Sequence, residues 1–202
     1  MFIGEERIYV VQGERFVVAG TSAGAYLAQG VVYHRAASMD GLLLVVPLIV
    51  ADDAQRDVPP HVTLVEDSSL MSGLEPEEAE VFQLAVVQSR RVVDRIRSEI
   101  ALLGGLGEPE FLERIGEKPE RYAFSFDVDA LPEPFPAPTL ILTGRQDSVV
   151  GYRDAWGVLQ NYPRGTFASL DRAGHLLEIE QESLFQALVS EWLDRVEEHC
   201  GQ

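Results

Sequence analysis

The sequence predicts an α/β fold: a mostly parallel sheet of about four strands, flanked by helices and interrupted by a helical insertion. Three observations predict it. An apolar strand runs directly into a glycine-flanked turn and a helix at residues 15–35. The run at residues 42–50 is apolar throughout, which is typical of a parallel strand buried on both faces. Strand and helix patterns then alternate from residue 139 to the C-terminus.

The turn after the first strand has the pattern Gly20-Thr21-Ser22-Ala23-Gly24, with the serine at its apex. Its two glycines remove side chains that would collide where a strand and a helix pass close together. Such a strand, tight turn and helix form a nucleophile elbow, which exposes a serine hydroxyl above a sheet. The helix that follows is rich in small residues, suits close packing on the sheet and is predicted to end near Arg35.

The other elements of the core are predicted from apolar runs and breakers. They are a strand at 42–50 with its ladder ending at Pro47, a strand at 139–143, a helical segment at 152–160, a strand at 166–170 and a helix from about Gln181. Periodicity leaves residues 1–14 open between helix and strand. Because strands alternate with helices, we expect right-handed crossovers in a parallel sheet.

Residues 51–135 are predicted to form a helical cap or lid, inserted between the core segments 1–50 and 136–202. Pro76 and the acids after it indicate a helix start. The apolar spacing that follows fits one long helix or two with a break, and the glycines at 104–107 stop it. A shorter helix is predicted at 110–115, and a proline-rich extended return at 131–138.

Composition limits the class of protein. The formal net charge of −17 disfavours nucleic acid and anionic membrane surfaces as partners. Cys200 is the single cysteine, so an internal disulfide or a cysteine-based metal cluster is excluded, and a cytoplasmic location is expected. No stretch has the length and apolarity of a membrane span, and no metal or other cofactor is predicted.

Ser22, Asp147 and His175 each follow a predicted strand, in the order nucleophile, acid, base. The carboxyl ends of parallel strands share one edge of the sheet, so these residues are expected to converge. His175 would then take the proton of Ser22, and Asp147 would fix the imidazole tautomer. The backbone N–H of Ala23, at the start of the helix, would stabilise an oxyanion.

Other acids and histidines compete for these roles. Asp171 is the rival acid but belongs to the same loop as His175, and Asp127 and Asp129 are weaker rivals. Structural or solvated roles are the default for the remaining histidines, which are His34, His61 and His199.

Three motifs together resemble the α/β-hydrolase superfamily. They are Gly20-Thr21-Ser22-Ala23-Gly24, Leu142-Thr143-Gly144-Arg145-Gln146-Asp147 and Ala173-Gly174-His175-Leu176-Leu177-Glu178. The resemblance is strongest to its helical-capped members, which include meta-cleavage-product hydrolases and small carboxylesterases. The resemblance implies a Ser-His-Asp triad and an α/β-hydrolase fold. The fold is expected to be partial, because the family has several strands and a His-Gly oxyanion loop before the elbow and this chain has about 14 residues there.

That departure has two expected consequences. The second oxyanion donor has no residue to map to, and losing one donor typically costs about 100- to 1000-fold in rate. The elbow strand becomes a sheet edge, which we expect a homodimer or a rearranged N-terminus to cover.

The leading functional prediction is a serine hydrolase that acts on a small-molecule substrate, either a small ester or a carbon–carbon bond next to a ketone. The alternative is a non-catalytic hydrolase-fold protein that binds a small ligand or a protein partner. Packing within the cap core is the default role for any one of the candidates for lining the substrate pocket, which are Val81, Phe82, Leu84 and Tyr122.

Overall fold

The structure, a computed structural model, describes residues 15–100 and 123–201. Its sheet contains four parallel strands in sequential order. They are β1 (Phe16–Thr21), β2 (Met39–Val45), β3 (Thr139–Gly144) and β4 (Gly165–Leu170). The predicted four-stranded parallel sheet flanked by helices is therefore confirmed.

Six α-helices are found among the described residues. They are α1 (Ala23–Arg35), α2 (Pro76–Gln83), α3 (Arg90–Arg95), α4 (Arg153–Gly157), α5 (Leu177–Glu180) and α6 (Glu182–Cys200). A π-helical turn, Ile96–Ile100, extends α3, and a 3₁₀ turn, Val158–Asn161, extends α4. Shorter 3₁₀ turns lie at Ala36–Ser38, Asp53–Gln55 and Ser68–Gly73.

Both faces of the sheet are covered by helices, which explains the unbroken apolar strands. On one face, alternate residues of β2 and β3 pack with α6; they are Leu43, Val45, Leu140, Leu142, Trp192 and Val196. On the other face, the intervening residues pack with α1 and α4; they are Leu42, Leu44, Ile141, Ala28, Val32, Ala155 and Val158. Since α1 and α4 share a face, the two crossovers have the same hand, as expected for strands in sequential order.

The second strand differs from its predicted bounds. It begins at Met39, which pairs with Phe16 before a register shift, and it ends at Val45. Val46 still donates its N–H to the carbonyl of Leu142 at 2.7 Å, but its φ of 38° turns the chain out of the sheet before Pro47. A β-branched residue at positive φ is strained, so the surrounding hydrogen bonds must hold this turn.

Between β2 and β3, the described residues are helical or irregular. A break at residues 84–89 separates α2 from α3, so two helices with a break form where the spacing also allowed one. Val65 and Val87 form an isolated bridge, the one β-pairing in the described part of this insertion. Residues 1–14, the glycines at 104–107 and the predicted helix at 110–115 lie outside the described residues.

A column of stacked aromatic rings fixes the returning segment on α1. Tyr26, Phe124, Phe126 and Tyr33 stack in that order, with centroids 4.8, 4.8 and 4.4 Å apart. The Tyr26 hydroxyl also accepts the N–H of Phe124 at 3.0 Å. A Cβ on Gly30 would lie 2.9 Å from Cε2 of Phe124, so glycine at this position makes room for the ring.

β1 is an outer strand of the sheet and pairs with β2. Two of its apolar side chains are exposed to solvent, Phe16 at 39% and Val17 at 44%. The homodimer or rearranged N-terminus expected over this edge stays a prediction. No helix in the described part of the chain is long and apolar enough to span a membrane.

A half-buried acid, Asp129, gives the first testable prediction. Burial, with the negative charges of Asp127 and Asp154, raises the pKa of Asp129 from 3.8 to about 6. The folded state therefore binds this proton more tightly, and the resulting stabilisation is complete below pH 3.8 and lost as the pH rises through 6. Asp129→Asn should raise the free energy of unfolding at pH 7.5 by about 1 kcal/mol, a value discounted for partial exposure.

Urea denaturation at pH 7.5 and pH 4.5 measures this difference. The gain should shrink at the lower pH, where Asp129 is already protonated. Asp194→Asn, which removes the same charge from an exposed position of α6, serves as the matched control. Equal gains for both variants would attribute the effect to the net charge of the protein instead of the burial of Asp129.

Candidate active site

Ser22 lies at the sharp turn between β1 and α1, with φ 52° and ψ −119°. Its N–H donates to the carbonyl of Val45 at 3.0 Å, and its carbonyl accepts from Leu48 at 3.1 Å and Ala25 at 3.0 Å. These hydrogen bonds hold a backbone conformation that non-glycine residues rarely adopt. The side chain does not cap the helix, which leaves its hydroxyl for other partners.

Gly20 is required by the close approach of β1 and α1. A Cβ on Gly20 would collide with the carbonyl of Gly24 and lie 2.7 Å from the backbone nitrogen of Ala25. Backbone atoms on both sides leave no flexible group that could move away. Gly24 differs, because a Cβ there would meet no atom within 4 Å.

Asp147 follows β3 and is fully buried at 0% exposure. Its Oδ1 accepts the N–H groups of Val149 at 2.8 Å and Val150 at 3.1 Å. Its Oδ2 lies 3.0 Å from Nδ1 of His175. The loop geometry thus fixes one oxygen and turns the other towards the histidine.

His175 follows β4 and lies between the other two residues. Its Nε2 is 3.0 Å from Oγ of Ser22, and its Nδ1 is 3.0 Å from Oδ2 of Asp147. A carboxylate can only accept, so Nδ1 must carry the proton in the neutral ring. Nε2 then presents its lone pair to the serine hydroxyl. The three residues predicted to converge are therefore joined by two hydrogen bonds.

Comparison with known proteins identifies the fold of the chain. No family model matches the sequence, and no curated protein does. Among solved structures, an α/β superfamily hydrolase from Oenococcus oeni matches with a TM-score of 0.82 at 24% identity, over 93% of this chain and 69% of its own. A meta-cleavage product hydrolase from Pseudomonas fluorescens matches with a TM-score of 0.57 at 22% identity, over 90% and 65%.

A third structure agrees with them. A serine hydrolase from the polyaromatic hydrocarbon-degrading bacterium Cycloclasticus zankles matches with a TM-score of 0.61 at 15% identity, over 90% of this chain and 64% of its own. The chain has an α/β-hydrolase fold. The resemblance predicted from the motifs is confirmed at the level of the fold, and the chain spans 64% to 69% of the length of these three proteins.

In this hydrolase fold, the loops that carry the acid and the histidine contact each other directly. The N–H of Gln146 donates to the carbonyl of Ala173 at 3.0 Å. A Cβ on Gly144 would lie 2.6 Å from that same carbonyl oxygen, so glycine allows the two loops to touch. The separation between Asp147 and His175 is therefore set by backbone contacts.

Arg56 is a structural residue of the site that the sequence patterns did not indicate. Its guanidinium donates to the carbonyls of Val50 and Ala51, both at 2.9 Å, and to the carbonyl of Val149 at 3.3 Å. Val149 in turn donates its N–H to Asp147. Arg56 thus ties the acid loop to the segment after β2. A lone arginine in a polar loop has no sequence signal for such a role.

The rival candidates have other partners in the hydrolase fold. Asp171 is exposed and accepts from the side chain of Gln146. His34 packs against Tyr33 and Phe126, His61 contacts Thr63, and His199 contacts Arg164. Asp127 accepts the N–H of Asp129. Among the described residues, no group of three or more His, Cys, Asp or Glu side chains could hold a metal ion.

Two of the predicted pocket residues pack into a hydrophobic cluster beside the site. Phe82 is fully buried there, and Val81 packs against it. The same cluster contains Leu176 and Ile179, which follow His175 in the chain. The main chain of Leu84 lies close to Gly174. Contact of these residues with a substrate stays a prediction, and Tyr122 lies outside the described residues.

The two glycines of the elbow motif should respond differently to the same substitution. Gly20→Ala should lower the free energy of unfolding by about 3 kcal/mol, because the added methyl group meets backbone atoms. Gly24→Ala should change it by less than about 1 kcal/mol, with a gain expected because alanine favours a helix. Urea denaturation of both variants tests this, and equal losses would contradict the close approach of β1 and α1.

Proposed function

We propose that the chain is a serine hydrolase in which Ser22, His175 and Asp147 form the catalytic triad. The observation that carries the proposal is the unbroken path of hydrogen bonds from Oγ of Ser22 through His175 to Asp147, with both contacts at 3.0 Å. It lies at the carboxyl ends of β1, β3 and β4, where α/β sheets place their ligand sites. The proposed substrate is a small ester or a carbon–carbon bond next to a ketone.

The geometry supports the usual division of roles. His175 accepts the hydroxyl proton at Nε2 as Oγ of Ser22 attacks the carbonyl carbon. Asp147 keeps Nδ1 protonated and stabilises the imidazolium that forms. The imidazolium then gives its proton to the leaving group, and water releases the acyl group from Ser22 by the same steps in reverse.

Ala23 supports one part of an oxyanion hole. It is the first residue of α1, so its N–H has no acceptor within the helix. The positive end of the helix dipole lies at the same place and favours a developing negative charge. A tetrahedral intermediate on Ser22 would therefore have one donor in this part of the chain, and a second donor is worth about 100- to 1000-fold in rate.

We propose that residues 51–135 act as the cap over this site. The break between α2 and α3 packs against Gly174, immediately before His175. The apolar cluster of α2, α3 and α5 continues that contact. An apolar surface next to the triad would exclude water and hold an uncharged substrate.

The proposed location of the protein is the reducing cytoplasm, which fits its single cysteine.

Labelling with a fluorophosphonate probe tests the activation of Ser22. The wild-type chain should gain one adduct by intact mass, and both Ser22→Ala and His175→Ala should lose it. Ser22→Ala removes the nucleophile, and His175→Ala removes the base that activates it. His61→Ala is the matched control, because His61 contacts Thr63 and, in the acid loop, Ser148, and not the hydroxyl of Ser22.

An adduct that persists in Ser22→Ala would refute the assignment of the nucleophile. A folded wild-type chain that gains no adduct would refute the hydrolase proposal for this chain and favour the alternative, a hydrolase-fold protein that binds a ligand or a partner.

Asp147→Asn should lower kcat for a short-chain p-nitrophenyl ester by about 10⁴-fold. The N–H groups of Val149 and Val150 hold the amide oxygen, so the amide nitrogen faces Nδ1 and favours the wrong imidazole tautomer. Asp171→Asn, at the rival acid, should stay within about threefold of wild type because Asp171 does not contact the imidazole. The reverse ranking of the two variants would assign the acid to Asp171.

A further inference from the structure

We propose that Glu180 is a positioning residue for His175, and that its buried carboxylate joins the loop carrying the histidine to the break between α2 and α3. Hydrogen bonds to backbone N–H groups on both segments carry the proposal. It rests on the proposed function, since positioning matters for catalysis only if His175 activates Ser22.

The carboxylate of Glu180 accepts three backbone N–H groups from two distant segments. Its Oε2 accepts from Gly174 at 2.7 Å. Its Oε1 accepts from Val86 at 2.5 Å and from Val87 at 3.0 Å. One side chain thus bonds the residue immediately before His175 and the irregular segment that separates α2 from α3.

These hydrogen bonds are shielded from water. Glu180 is 4% exposed, and Val86 and Ala85 are fully buried. Burial raises the pKa of the Glu180 carboxyl, and the N–H groups of Gly174, Val87 and Val86 offset part of that rise. Buried hydrogen bonds to a charged acceptor are stronger than exposed ones, and losing the acceptor leaves buried donors unpaired.

Tight packing transmits the position of Glu180 to the imidazole. A Cβ on Gly174 would lie 2.7 Å from Cγ2 of Val86, so the loop and the insertion are in direct contact. The carbonyl of Ala173 accepts from Gln146 on the opposite side. Gly174 is therefore held between the insertion and the acid loop. This fixes the ring of His175, which keeps its 3.0 Å contacts with Asp147 and Ser22.

A carboxylate suits this place better than an amide of the same shape. Three donors point at it, and a carboxylate only accepts. In Glu180→Gln the amide nitrogen must face either Gly174 or the pair formed by Val86 and Val87. The first orientation opposes one backbone N–H and the second opposes two, and either one frees one of the two segments.

Glu182 provides a matched control. It also connects the insertion to the C-terminal part of the chain, through ion pairs with Arg91 at 3.1 Å and Arg95 at 3.0 Å. These contacts are partly exposed and are made to side chains of α3 instead of the histidine loop. Glu182→Gln therefore removes an inter-segment contact of the same charge without touching Gly174.

The first test measures the histidine ring itself. Two-bond ¹H–¹⁵N spectra report the tautomer of each histidine, and His175→Ala identifies the signals of His175 among the four histidines. Wild type and Glu182→Gln should show His175 with the proton on Nδ1. Glu180→Gln, folded by circular dichroism, should show averaging of the two tautomers.

The second test measures catalysis on the same proteins. Glu180→Gln should lower kcat for a p-nitrophenyl ester by about 10- to 100-fold with KM within about threefold, because a small displacement of the base slows the chemical step. The rate of fluorophosphonate labelling should fall by the same factor. Glu182→Gln should change neither. Should Glu180→Gln not fold, Glu180→Asp, whose shorter side chain cannot reach both segments, should show the same changes.

The proposal is overturned if folded Glu180→Gln keeps the wild-type tautomer, or if it keeps the wild-type labelling rate in a chain that labels at Ser22. A lower unfolding midpoint without either change would reduce Glu180 to a residue that only stabilises the fold. If the wild-type chain does not label at all, the proposed function fails, but the ring spectra still decide whether Glu180 positions His175.

Discussion

The backbone of Ser22 is held by hydrogen bonds on both sides, and the geometry of the site depends on them. Its N–H donates to Val45 at the end of β2, and its carbonyl accepts from Leu48 beyond that strand. They fix the residue at φ 52°, which turns β1 into α1 within one residue. The hydroxyl consequently points away from the helix and towards Nε2 of His175.

Buried carboxylates give the loops of this site their shape. Asp147 and Glu180 each accept two N–H groups at one oxygen. With its second oxygen, Asp147 reaches an imidazole, whereas Glu180 reaches the backbone of Gly174. A carboxylate suits both tasks because it accepts several hydrogen bonds and donates none. Both acids thus lie close to His175 in a protein whose formal net charge is −17.

Local patterns account for what the sequence could predict. The glycines around Ser22 and the apolar runs of β2 and β3 encode their own conformation, so the elbow, the strands and the convergence of the three site residues could be inferred. The tertiary contacts could not. Glu180 and Arg56 act on backbone groups of distant segments, and neither residue type signals that in a sequence. The early start of β2 likewise depends on pairing with β1.

The positions of Ser22 and His175 span the full width of the described sheet. Ser22 follows β1 at one side and His175 follows β4 at the other, with Asp147 after the inner strand β3. The 3.0 Å contact between Ser22 and His175 therefore depends on the twist accumulated over three strand pairs. A small change of twist would separate the serine from its base while every strand remained paired. Mild denaturant or heat would then break this contact before the sheet unfolds.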